Sequence, residues 1–143
     1  MARHDRVVVG VDGSDCSVEA LRWAAEEARL RGAQVEVLYV WHLPYVGAQV
    51  GALPYPNEEF EAVGAQVLEY TINEAGELGV AVERRVEHGH AANELIEASR
   101  RADLVVVGSR GHGGVAGTLL GSVSQRVAAH AACPVVVVRR TDG

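Results

Sequence analysis

The chain has no lysine: all 13 of its basic residues are arginine. That excludes Schiff-base chemistry, which needs a side-chain amine. It also excludes a Walker-type phosphate loop, whose lysine reaches the β- and γ-phosphates. Cysteine is scarce, with only Cys16 and Cys133. Two thiols make no disulfide framework, so a reducing cytoplasm is the expected compartment. No run of 18 apolar residues occurs, and the opening stretch MARHDRVVVGVDG is broken by Asp12 too early for a secretory leader. Neither a membrane span nor a signal peptide is expected. Basic charge is also short, with 13 basic residues against 19 acidic ones and a net charge of −6. The arginine doublets Arg84–Arg85, Arg100–Arg101 and Arg139–Arg140 are scattered along the chain. A nucleic-acid binder concentrates its basic residues on one face. Neither nucleic acid nor an anionic membrane is therefore an expected partner.

What is present is a globular composition, 48% hydrophobic and 22% charged over 143 residues. One domain spanning 1–143 is expected. Strand and helix signals alternate along it. Arg6 to Val11 is a β-branched run of the kind buried on both faces of a sheet. Asp12 to Asp15 is a turn with N-cap candidates. Val18, Leu21, Ala25 and Ala28 then recur at helical spacing, and Gly32 stands at the expected C-cap. Val35 to Val40 reads as the second strand. The segment from Trp41 to Pro56 holds three of the four prolines (Pro44, Pro54 and Pro56) and reads as a long covering loop. Asn57 is expected to cap a second helix running to Gly79, with Phe60, Val63, Val67, Ile72, Ala75 and Leu78 as its apolar stripe. Val80 to Val86, with Glu83, Arg84 and Arg85 inside it, suits a sheet edge. A helix is expected over about 91–101, a fully apolar strand over Leu104 to Val107, a helix over about 122–131, and a last strand over Pro134 to Val138. The pattern predicts a doubly wound α/β fold. Its five-stranded parallel sheet has order 3-2-1-4-5 and helices on both faces, Rossmann-like in plan. The topological switch then falls between strands 1 and 4, where open α/β sheets bind ligands.

One segment carries the chemistry. Gly108 to Gly121 holds six glycines in 14 positions. It starts at the end of strand 4 and ends at a helix start. Glycine lets backbone approach a ligand closely, and successive exposed N–H groups form anion-binding concavities. The helix start adds unpaired donors and a partial positive charge. These are the means of holding a polyphosphate without lysine. The alternative is structural: Ser122 and Gln125 fit a capping box, so Ser122 would serve only its helix. Gly111 to Ala116 also fits the dinucleotide pattern G-x-G-x-x-A. That pattern belongs after a first strand and directly at a helix start, so NAD and FAD are not expected.

The spacing of Gly108, Gly111, Gly121 and Ser122, with nine residues from His112 to Leu120 between the last two glycines, is G-x2-G-x9-G-[S/T]. With Val9-Gly10-Val11-Asp12-Gly13-Ser14 and Cys133-Pro134-Val135-Val136-Val137-Val138-Arg139, it makes the whole chain resemble a universal stress protein of the ATP-binding type. The resemblance implies roles. Gly10 and Asp12 would lie beside the ribose and the phosphate or a bound magnesium ion, although Asp12 also serves as a plain turn residue. Val40 would meet the adenine. Gly108, Ser109, Arg110, Gly111, His112, Gly113 and Gly114 would wrap the ribose and phosphates. Gly121, Ser122, Val123 and Ser124 would meet the phosphates from the helix end. Arg110 either pairs with phosphate or lies in solvent. The resemblance also implies a homodimer through strand 134–138. Three functions follow: a nucleotide-dependent homodimeric switch read by a regulatory protein partner, a slow ATPase, or a ligand-free interaction module. No general base or arginine finger for hydrolysis is recognisable, so no catalytic residue is expected. His88-Gly89-His90 has metal-like spacing but no third ligand nearby in sequence, and is set aside.

Overall fold

A computed structural model of the chain describes residues 3–42, 57–111 and 120–140. It contains β1 (Arg6–Gly10), α1 (Asp15–Arg31), β2 (Gln34–Trp41), α2 (Asn57–Ala75), β3 (Val82–His88), α3 (Ala91–Ser99), β4 (Leu104–Gly108), α4 (Ser122–His130) and β5 (Val135–Val138). The strands form one sheet in the order β3-β2-β1-β4-β5, and every pairing is parallel. The covering loop expected over Trp41 to Pro56 lies outside the described residues apart from Trp41 and His42.

Side-chain alternation along the strands divides the core. Val7 and Val9 of β1 and Val35 and Val37 of β2 pack with α1 and with Leu68 of α2. Val8, Leu38, Val105 and Val107 point to the other face, against Leu95 of α3 and Val127 of α4. β1 is the centre of the sheet, and Val7, Val8 and Val9 are fully buried. That is why its sequence shows no polar alternation. Gly32 ends α1 in the left-handed region, φ 69°, and donates its N–H to Ala28 O and Arg29 O.

Several boundaries differ from the sequence expectation. α2 stops at Ala75, because Gly76 takes φ 85° before Gly79 is reached. Leu78 therefore leaves the helix, yet it still packs against the core. α2 is described from Asn57 onward, and the cap expected of that residue lies outside what is described. β3 lies two residues later than expected, because its register follows β2 from Val35↔Val82 to Trp41↔His88. α3 ends at Ser99, two residues early.

The arginine doublets are also less scattered than they read. Glu36 of β2 is 1% exposed. Arg6 Nη1 donates to its Oε1 at 2.7 Å, and Arg101 Nη2 donates to both oxygens at 3.1 and 2.9 Å. Arg85 stands 3.7 Å away. Two doublets thus each contribute one member to a single buried carboxylate. Burial pushes the Glu36 carboxyl up from its ordinary range, against the pull of Arg6 and Arg85. Asp103 stitches the start of β1 to β4 by accepting His4 N–H at 2.9 Å and Arg6 N–H at 3.3 Å.

Candidate functional site

Right-handed crossovers place the starts of α1, α3 and α4 at the carboxyl ends of the strands. A cavity of about 680 Å³ lies there, at the switch between β1 and β4. That volume suits a ligand of nucleotide size. One wall is apolar, formed by Leu38, Val40, Ala91, Leu95 and Val107. The opposite wall is backbone and small polar groups: Gly10, Asp12, Gly108, Gly111, and Gly121 to Gln125.

At two of these glycines an added side chain would meet a neighbour. A Cβ on Gly108 would sit 2.9 Å from Cys16 Cβ and 3.0 Å from the Cys16 carbonyl carbon. A Cβ on Gly111 would collide with Asp12 Oδ2. The Asp12 carboxylate therefore lies directly against the Gly111 backbone. Its other oxygen accepts the Ser14 N–H at 2.9 Å, and Ser14 caps α1 by accepting the Ser17 N–H.

The two ends of the glycine-rich segment are tied together. Ser109 O accepts the Gly121 N–H at 2.6 Å and the Ser124 hydroxyl at 3.2 Å. Ser109 N–H donates to Val138 O of β5. This spends the capping reading of Ser122: the N-cap is Gly121, and no side chain caps the helix. Ser124, not Ser122, makes the local hydroxyl bonds, also donating to Gly121 O at 3.0 Å. The expected partner, Gln125, turns its amide to Leu120 O. The first helical bond of α4 is Gln125 N–H to Gly121 O, so the N–H groups of Ser122, Val123 and Ser124 have no acceptor within the helix. They lie on three residues that line the cavity.

Of the residues singled out from sequence, Gly10, Asp12, Val40, Gly108, Arg110, Gly111, Gly121, Ser122, Val123 and Ser124 line this one cavity. Ser109 is not among the lining residues; it is 4% exposed and its backbone is used in the ties just described. His112, Gly113 and Gly114 lie outside the described residues. Arg110 is exposed and, among the described residues, has no ion-pair partner. Sequence reasoning missed the apolar wall contributed by Ala91 and Leu95 of α3, where a helical stripe signals burial without saying against what.

Among the described residues, no helix is long and apolar enough to cross a membrane. The model of the universal stress protein family matches residues 3–139, and the chain belongs to that family. A universal stress protein of Mycolicibacterium smegmatis is 42% identical over 146 residues, covering 96% of this chain and 48% of that protein. The chain spans about half the length of this and other mycobacterial relatives. Among solved structures, a universal stress protein in complex with cAMP is 28% identical, with a TM-score of 0.68 over 96% of this chain and 98% of that one. The Archaeoglobus fulgidus universal stress protein in complex with dAMP is also 28% identical, with a TM-score of 0.68 over 93% and 96%.

Proposed function

We propose that residues 1–143 act as one adenine-nucleotide-binding domain, that the nucleotide is ATP, and that occupancy switches a homodimer read by a regulatory protein in the cytoplasm. The observation that carries this is the two-sided cavity. An apolar wall suits a purine, and facing it are glycine backbone and three helix-start N–H groups suited to phosphate. The two family structures solved with cAMP and dAMP support an adenine ligand.

The residues fit such a ligand. Gly10, Asp12, Gly108, Arg110, Gly111 and, by the family motif, Ser109, His112, Gly113 and Gly114 would hold the ribose and phosphates. Gly121, Ser122, Val123 and Ser124 would receive the phosphates, and Val40 would border the base. Asp12 is the one carboxylate among the lining residues. Magnesium is commonly bound by one or two carboxylates plus substrate phosphates, so Asp12 suits Mg-ATP. The ion would neutralise phosphate charge. The reading is a binder rather than an enzyme, since the sequence offers no recognisable general base or arginine finger for hydrolysis.

Dimerisation is proposed through β5. It is an edge strand of four half-buried valines, Val135 to Val138, and an apolar edge of this kind is suited to pairing with another strand. Mass spectrometry of protein purified without added nucleotide tests the ligand. Adenine nucleotide bound to the parent and missing from Gly111→Val is expected. Equal loading of both would remove the site from consideration.

A further inference from the structure

We infer that His42 and His90 form a two-imidazole site for a borderline divalent ion of the zinc, copper or nickel class. His42 directly follows β2, and His90 directly precedes α3. The parallel pairing Trp41↔His88 and the bond from Gly89 N–H to Trp41 O, at 2.8 Å, bring the two positions side by side. The ring centroids are 5.0 Å apart and the ring planes meet at 65°. Zn–N bonds of about 2.0–2.1 Å at a tetrahedral angle put two bound imidazole centroids roughly 5 Å apart. The observed centroid spacing is close to that value.

Both imidazoles are exposed, and neither makes a hydrogen bond or ion pair among the described residues. Their nitrogens are available. Imidazole nitrogen suits zinc, copper and nickel rather than magnesium or calcium. His88, which the sequence pairs with His90, is drawn away: its ring stacks on Trp41 at 4.2 Å. The Glu94 carboxylate lies beside the Gly89 bend and adds negative potential, shared with Arg85. No group of three or more His, Cys, Asp or Glu able to hold a metal occurs among the described residues. With two protein ligands among the described residues, the ion exchanges readily, unlike one in a closed structural site. The pair adjoins the nucleotide cavity through Val40 and Ala91 but is not among its lining residues, so the inference stands apart from the nucleotide reading.

The test uses the full chain without a histidine tag, titrated with Zn2+ by calorimetry at neutral pH. One ion per chain is expected, with affinity weakened roughly tenfold or more in His42→Ala and in His90→Ala. His130→Ala, at the far end of α4, is expected to bind like the parent. In the unaltered chain, 15N imidazole spectra are expected to show zinc-dependent shifts at His42 and His90 together. Absence of zinc heat in the parent, zinc affinity as tight as the parent's in either variant, or imidazole shifts confined to other histidines would overturn the inference.

Discussion

Replacing Gly108 and Gly111 in turn by alanine should separate what the glycines do for the fold from what they do for the ligand. At Gly108 the added methyl meets Cys16 Cβ at 2.9 Å and the Cys16 carbonyl carbon at 3.0 Å. Comfortable carbon contacts are about 3.5–4.0 Å, so the overlap is more than half an ångström. One partner is backbone, which cannot rotate away. β4 and the start of α1 must part, which costs about 1–3 kcal/mol. For a chain of this size that is roughly 3–9 °C in melting temperature. At Gly111 the obstacle is the end of the Asp12 side chain, which can swing aside at the cost of its bond to Ser14 N–H. Its stability cost should stay near or below about 1 kcal/mol. Swinging it aside moves the carboxylate proposed to face the phosphates, so nucleotide affinity should fall about tenfold or more while the melting temperature changes little. Calorimetric melting together with ATP titration of both variants reads the two effects. A Gly108→Ala chain that melts with the parent would refute the packing argument, and a Gly111→Ala chain that binds ATP like the parent would refute the role given to that contact.

Glu36→Ala takes away the carboxylate of Arg101, while Arg6 keeps Glu83 and Arg85 keeps Glu87. It should cost about 1–3 kcal/mol by chemical denaturation, and a loss below about 1 kcal/mol would show the network to be idle. Asp103 is pushed up by burial, but the N–H donors of His4, Arg6 and Asp5 together outweigh this and hold its pKa below the ordinary carboxylate range. Its stabilisation is then present above the unfolded value, about 3.9, and is lost as pH falls through the folded value. The melting gap between the parent and Asp103→Asn should be widest near neutral pH and close in acid, and a gap independent of pH would contradict the assignment. Val136→Arg places a charge in β5 at a half-buried valine and should shift a dimer to monomer in size-exclusion chromatography with light scattering, whereas an unchanged mass would exclude this edge as the interface.

The order of elements was legible because β1 and β4 carry unbroken valine-rich runs and glycine marks the end of α1. The strand order followed from the same runs, since β1 and β4 are the most apolar of the strands inside the chain and so belong side by side at the centre. Chain-distant partnerships were not legible. Glu36 sits inside an apolar strand, and its arginines come from positions 6, 85 and 101. The stack of Phe60, Trp41 and His88 likewise draws on three elements. Local rules misled where a competing residue stood one position away. Gly121 took the cap position from Ser122, and Gly76 ended α2 before Gly79. The cavity's glycine wall was readable from motif spacing, whereas the tie from Ser124 to Ser109 O depends on a three-dimensional closure that no spacing encodes.

The most direct measurement follows backbone amide resonances of the chain during titration with ATP. The expected result is saturable, large shifts at Gly10, Gly108, Gly111 and the α4 start, Ser122, Val123 and Ser124, with β3 and the exposed side of α2 unmoved. Shifts absent from the α4 start, or spread evenly over the arginine-bearing surface, would contradict a polyphosphate held by main-chain amides at this end of the sheet.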